Sequence, residues 1–144
     1  MTHKQWLGPA VAVLILLSVP TTAEVRFDAS NVPLVQLIAT PDRYDGVLVR
    51  TIGFLWLEFE GNALYLHRED YENAIIKQSV WLDFPGEPTA DQRALRGNYV
   101  LVEGVFNAKR SGHLGLHTGA IEKINRLQLW SRPGKGLLRH APNE

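Results

Sequence analysis

The stretch VLVRTIGFLWLEF, residues 47–59, consists largely of β-branched, aromatic and other apolar residues. Its apolar side chains fall on both faces of an extended strand, and Gly53 interrupts the run. A glycine inside a strand is typical of a bulge or a bend. A small closed barrel requires long strands that bend, so that the two halves of a strand contribute to different faces. A glycine within the strand permits such a bend.

A second strand of the same kind is predicted at YVLVEGVFN, residues 99–107. Its interior glycine, Gly104, stands four residues after Val100, just as Gly53 stands four residues after Val49. The repeated spacing predicts a second bend of the same type. Together the two strands favour a barrel over a flat sheet.

The remaining elements are shorter. Strands are predicted at 63–67, 75–84 and 120–129, and the polar residues 68–74 are predicted to be irregular. One helix is predicted over 31–40 with Asn31 as its cap, and another over 89–96, where Thr89 and Gln92 have capping-box spacing. A helix between the third and fourth of five strands is the layout of the OB-fold. The predicted fold is therefore mainly β, a five-stranded OB-like barrel with a short N-terminal helix. An open α+β sheet is the alternative.

Composition narrows the classes of function. The 144 residues include 15 Lys and Arg, 15 Asp and Glu, and no cysteine. The charge balance excludes a generally cationic nucleic-acid coat or a polybasic membrane binder. The lack of cysteine excludes disulfides, zinc–cysteine sites, iron–sulfur clusters and thiol nucleophiles. No P-loop, GxGxxG or GxSxG motif is present, and no cofactor is predicted.

The first 23 residues have the three parts of an export signal. A short basic start at His3 and Lys4 precedes an apolar run from Trp6 to Val19, and small residues up to Ala23 form a plausible cleavage site. The run is shorter than the roughly 20 residues that span a bilayer. We therefore predict a periplasmic or secreted protein without a transmembrane segment after cleavage. The predicted organisation is a signal peptide over 1–23, one OB-like domain over 24–130 and a flexible basic tail over 131–144.

Four stretches carry a resemblance to a known group. They are PDRYDGVLVRTIGF (41–54), EFEGNALYLHREDYE (58–72), VWLDF (80–84) and NYVLVEGVFNAKRSGHLGLHTGAIEKI (98–124). The chain resembles a group of small, uncharacterised bacterial exported proteins with an OB-fold-like pattern. The resemblance implies export and a barrel, and it implies no substrate.

Charged residues are distributed unevenly along the sequence, and the predicted topology brings an acidic stretch close to a basic one. In an OB-fold, the loops joining strands 1–2 and 4–5 flank the binding face. Here they are residues 58–62, in an acidic stretch, and 108–118, in a basic one. We name them the acidic loop and the basic loop, and predict that they hold a polar ligand. The candidate ligand-binding residues are Glu58, Glu60, Tyr65, His67, Trp81, Lys109, Arg110, His113 and His117.

Three interpretations of these residues remain open. The first is an exported, non-enzymatic binding module that presents both loops to a protein or an envelope glycan, for example as an inhibitor or immunity-like protein. The second is a metal-dependent hydrolase using His113 and His117, with His67 as a third ligand, although the surrounding glycines disfavour the helix that would align them. The third is an oligonucleotide binder that stacks bases on strand aromatics, which the charge balance disfavours.

Overall fold

The computed structural model describes residues 28–131, which form six strands and three short α-helices. The strands are β1 (Ser30–Asn31), β2 (Leu48–Trp56), β3 (Ala63–Tyr65), β4 (Ser79–Leu82), β5 (Tyr99–Asn107) and β6 (Ala120–Leu129). The helices are α1 (Leu34–Ala39), α2 (Arg68–Glu72) and α3 (Ala90–Ala94). Single 3-10 turns occupy Pro41–Tyr44, Ile76–Gln78 and His113–Gly115. The predicted signal peptide and nearly all of the predicted tail lie outside the described residues.

Five of these strands close into a barrel. The hydrogen-bonded order runs β2-β3-β4-β6-β5, and β5 pairs back with β2. All neighbours are antiparallel except β4 and β6, which run parallel, while the short β1 adds to β2 in parallel. Helix α3 connects the third and fourth barrel strands, as in an OB-fold. The predicted OB-like barrel is confirmed.

The core follows from alternation along the strands. Side chains at every second position point inward, and those between them point outward. The inward set is apolar and buried, and it includes Val49, Leu55, Leu64, Val80, Leu82, Val100, Val102, Phe106 and Ile121. Helix α1 packs Leu34 and Leu37 against this core. Because the interior is filled by side chains, the surfaces left for binding are the loops and the outer faces.

The two interior glycines stand where the sequence predicted bends. Directly after Gly53, strand β2 exchanges partners at Phe54, since residues 48–54 pair with β5 and residues 54–56 pair with β3. A Cβ there would lie 2.8 Å from the carbonyl oxygen of Tyr65. At Gly104, the β5–β6 register shifts in a bulge, and a Cβ would lie 2.7 Å from the carbonyl oxygen of Glu122. Glycine is therefore required at both positions for close approach of neighbouring chain.

Several local predictions need correction. Asn31 does not cap α1, because it pairs in β1 with Arg50, and the residue before the helix is Pro33. Residues 68–72, predicted to be irregular, form α2. The polar sequence of α2 shows no apolar periodicity, and capping interactions between His67 and Asp70 stabilise its first turn instead. The Thr89–Gln92 capping box of α3 is confirmed.

Within residues 28–131, none of the helices has the length and apolar character needed to cross a bilayer.

Candidate functional site

The acidic and basic loops meet at one end of the barrel. The acidic loop follows β2 and leads to β3, while the basic loop leads from β5 to β6. The two loops contact one another through Glu60 and His113, whose Oε2 and Nε2 atoms are 3.5 Å apart. The predicted juxtaposition of the two loops is therefore present in the structure.

A small polar cleft lies between the loops, with a volume of about 260 Å³. We call it the loop cleft. It is lined by Glu60, Trp81, Asp83, Arg110, Gly112 and His113. Four of the nine predicted binding residues are in this set. Asp83 and Gly112 were not predicted, because Asp83 reads as the end of a strand and Gly112 as an ordinary loop glycine.

Arg110 is held rigidly at the side of the loop cleft. Its guanidinium donates to both carboxylate oxygens of Asp83, at 3.0 and 2.9 Å, and a further ion pair joins it to Glu122 at 3.3 Å. A bidentate guanidinium–carboxylate pair fixes orientation as well as position. The single guanidinium of Arg110 is paired with the carboxylates of Asp83 and Glu122, and the carboxylate of Glu60 also lines the loop cleft. Carboxylates therefore outnumber the guanidinium, and the loop cleft carries an excess of negative charge.

Trp81 and Gly112 pack against each other and shape the loop cleft. Gly112 adopts φ +66°, and a Cβ at this position would lie 2.6 Å from the indole of Trp81. Glycine is therefore required twice, for its backbone conformation and for its lack of a side chain. The His117 ring lies 5.4 Å from the indole, measured between ring centroids. The basic loop is thus packed down onto the outer face of β4.

His117 is buried under the basic loop and is not a free ligand. Its Nδ1 lies 2.7 Å from the hydroxyl of Ser79, which is itself fully buried and donates its proton to the Ile76 carbonyl. His117 must therefore donate to Ser79 from Nδ1, because a hydroxyl has a single proton. Burial, followed by the nearby Lys77 ammonium, lowers the pKa of His117 to about 4. A neutral imidazole that donates to a serine is not acting as the base that activates it.

Apolar side chains stand exposed at the tips of both loops. Phe59 is 85% exposed and Leu114 is 78% exposed. Each is a sequence neighbour of one member of the Glu60–His113 contact. Glu60 and Leu114 also have positive φ, at 54° and 55°, which non-glycine residues rarely adopt. Strained backbone that carries exposed apolar groups is characteristic of functional loops.

Two predicted loop residues point away from the loop cleft. Glu58 accepts a hydrogen bond from the Trp56 indole at 3.0 Å, and Lys109 forms an ion pair with Asp45 at 3.2 Å. Sequence reasoning could not separate Lys109 from Arg110, because adjacent residues in a turn point in different directions.

Tyr65 and His67 also lie outside the loop cleft. Tyr65 is buried on the outer face of the barrel, where it packs edge-on against Tyr71 at 5.5 Å. Its burial is the main reason that the pKa of its phenol is raised. His67 precedes α2, and its backbone N–H and its ring both contact the carboxylate of Asp70. These two predicted residues therefore serve packing and capping.

An aromatic cluster on the outer face of β2 was only partly anticipated. Trp56 stacks on Tyr71 at 4.0 Å, and the Arg96 guanidinium lies 3.9 Å from the centre of the same indole. Phe54 is covered in a similar way by Arg68 at 4.7 Å. Since protein groups already cover these rings, the cluster offers poor stacking for nucleotide bases. The oligonucleotide hypothesis gains no support from it.

The metal hypothesis gains no support from the geometry either. His113 faces Glu60, whereas His117 is bonded to Ser79. Within residues 28–131, His, Asp and Glu side chains do not gather in any group of three suited to a metal ion.

Comparisons with known proteins do not identify a family for this chain. No protein-family model matches the sequence. A search of curated proteins returned no match. Among solved structures, the chain is similar to a DUF3299 family protein from Pseudomonas aeruginosa PAO1, with a TM-score of 0.45 and 16% identity. The match covers 64% of this chain and 66% of that protein, just under two thirds of its length. By its fold and its candidate site, this chain is a small OB-like barrel with a cleft between two loops.

Proposed function

We propose that this chain is an exported, non-enzymatic binding module that docks onto a partner protein through the acidic and basic loops. The observation that carries the proposal is the joining of the two loops across Glu60 and His113, with a large exposed apolar side chain beside each residue. Protein interfaces combine apolar anchors with a few oriented polar groups.

Phe59 and Leu114 are the proposed anchors. Burying a large apolar side chain contributes roughly 1.5–3 kcal/mol. Two such groups, on loops that are already in contact, would lose little conformational freedom on binding. A rigid scaffold with functional loops is a common arrangement for binding proteins.

The loop cleft is proposed to accept a basic side chain of the partner. Glu60 and Asp83 line it, and Arg110 is already neutralised by Asp83 and Glu122. Its excess of carboxylates suits a lysine or arginine. The loop cleft would then determine which partner is bound, while burial of Phe59 and Leu114 would supply the affinity.

A binding role accounts for the Ser79–His117 pair better than a hydrolytic role does. Ser79 is fully buried and His117 nearly so, and their hydrogen bonds tie the basic loop to β4. The pair therefore rigidifies the loop that would carry the interface. Export is proposed from the signal-like residues 1–23, which would place the partner in the cell envelope or outside the cell.

The proposal is tested by affinity capture with protein produced from the full 144-residue sequence. Solubilised envelope proteins are passed over the wild type and over Phe59→Ser, Leu114→Ser and Ile75→Ser variants. Ile75 is a matched control, since it is also apolar and 42% exposed but belongs to neither loop. We expect one protein to be retained by the wild type and by Ile75→Ser, and lost with both loop variants.

Two results would contradict the proposal. Equal retention by all four proteins would mean that the loops are not the docking surface. Retention of envelope saccharide instead of protein, again dependent on the loops, would make the chain a glycan-binding module.

A further inference from the structure

A second cleft, larger and mainly apolar, lies away from the two loops. Its volume is about 690 Å³, within the range of small-molecule sites, and it shares no lining residue with the loop cleft. We call it the apolar cleft. The apolar part of its lining includes Val32, Leu34, Val35, Ile52, Leu101 and Trp130.

Several large apolar side chains remain exposed in this lining. Val35 is 49% exposed, Trp130 is 41% exposed and Ile52 is 37% exposed. They come from α1, from β2 and from the residue after β6. Apolar groups from separate elements that gather around one concave surface indicate a binding site rather than isolated exposed residues.

The two arginines in the lining indicate what kind of ligand the apolar cleft suits. Arg50 is neutralised by Glu103 at 2.8 Å. Arg126 also lines the cleft, but its Nε donates to the amide oxygen of Gln128, and no carboxylate within residues 28–131 pairs with it. A guanidinium that lacks an anion at the rim of an apolar cleft is complementary to a carboxylate with an apolar tail.

We propose that the apolar cleft binds a free fatty acid, with its hydrocarbon chain against Val35, Ile52 and Trp130 and its carboxylate on Arg126. The hydrocarbon supplies apolar contact area. The carboxylate would pair with the Arg126 guanidinium, with which no carboxylate of residues 28–131 pairs. This site stands independently of the protein-binding surface proposed for the loops.

Isothermal titration calorimetry of the full chain with dodecanoate and with dodecanol tests the proposal. The two probes share a hydrocarbon chain and differ in charge. We expect saturable binding of dodecanoate at one molecule per chain. Arg126→Gln should weaken dodecanoate binding about tenfold and leave dodecanol binding unchanged, because only the acid uses the guanidinium.

Two further variants test the location. Ile52→Glu places a carboxylate in the lining and should abolish binding of both probes. Leu129→Glu is the matched control, since Leu129 is apolar and 52% exposed but does not line the cleft. It should bind both probes as the wild type does. Circular dichroism melting of each variant checks that it is folded.

Several outcomes would overturn the proposal. One is the absence of saturable dodecanoate binding by the wild type. Others are equal weakening of both probes by Arg126→Gln, or loss of binding in folded Leu129→Glu. If the wild type binds neither probe and Ile52→Glu converts a dimer to a monomer by light scattering, the surface is an interface between two copies of this chain.

Discussion

Glu60 and His113 face each other across the loop cleft, with a carboxylate oxygen 3.5 Å from a ring nitrogen. One residue comes from the turn after the first barrel strand and the other from the connection between the last two. The contact closes a gap between segments that are more than 50 residues apart in sequence. Both side chains are about half exposed, at 53% and 43%, so the pair remains accessible to a partner.

The exposure of this pair leads to a first prediction. Glu60→Gln should change the free energy of unfolding by no more than about 0.5 kcal/mol, since exposed ion pairs contribute little. The same substitution should weaken partner binding, because it removes a carboxylate from the loop cleft. Glu58→Gln is the matched control, since Glu58 is in the same loop but contacts Trp56. Urea denaturation and binding titration of both variants check this, and equal binding by the two would contradict it.

The second prediction concerns the bend glycines. Gly53→Ala and Gly104→Ala should each destabilise the barrel by about 1–3 kcal/mol, because the added methyl group would press on neighbouring backbone. Gly86→Ala should have almost no such effect, as a Cβ there meets no atom within 4 Å. Thermal melting of the three variants is the measurement. Unchanged stability of Gly53→Ala or Gly104→Ala would show that close approach does not require glycine there.

The third prediction separates two loop glycines with similar backbone strain. Gly112 and Gly115 have φ of +66° and +67°, but only Gly112 has its Cα against Trp81. Gly112→Ala should therefore shift Trp81 fluorescence and weaken partner binding, whereas Gly115→Ala should cost stability alone. If the two variants behave alike, Trp81 packing does not position the basic loop.

The fourth prediction follows from the lowered pKa of His117. An unfolded chain protonates this imidazole near its usual pKa of 6.5, whereas the folded chain does so only near 4. Between these values the unfolded state binds more protons, so stability should fall as the pH falls from about 6.5 to about 4. Urea titrations across this window measure the slope. His117→Gln should flatten it, and an unchanged slope would mean that other groups cause the acid sensitivity.

The sequence predicted the barrel better than it predicted the site. Strands at 99–107 and 120–129 were predicted with their observed bounds, the first from its valines and aromatic residues and the second from its apolar residues and the glycine-rich loop before it. Helix α2 was missed, because its stability comes from capping rather than from an apolar face. Sequence patterns report repeating apolar faces, and they do not report local polar contacts.

The site was predicted at the level of loops and not of individual side chains. Topology alone places the acidic loop beside the basic loop. It does not determine that Arg110 turns toward Asp83 while Lys109 turns toward Asp45. Nor does spacing reveal that His117 is buried while His113 is exposed. Those differences depend on backbone conformation within the connection from β5 to β6, which includes four positive-φ residues, at positions 112, 114, 115 and 119.

The divergence of Arg110 and Lys109 provides the most direct test of the two-loop binding surface. The measurement is the affinity of the captured partner for the full chain carrying Arg110→Gln or Lys109→Gln, by calorimetry. The two variants remove the same charge from adjacent residues of one loop. A loop cleft that accepts a basic side chain predicts that Arg110→Gln, which frees the carboxylates of Asp83 and Glu122, strengthens binding about tenfold and that Lys109→Gln leaves it unchanged. Equal affinities for the two variants would contradict it.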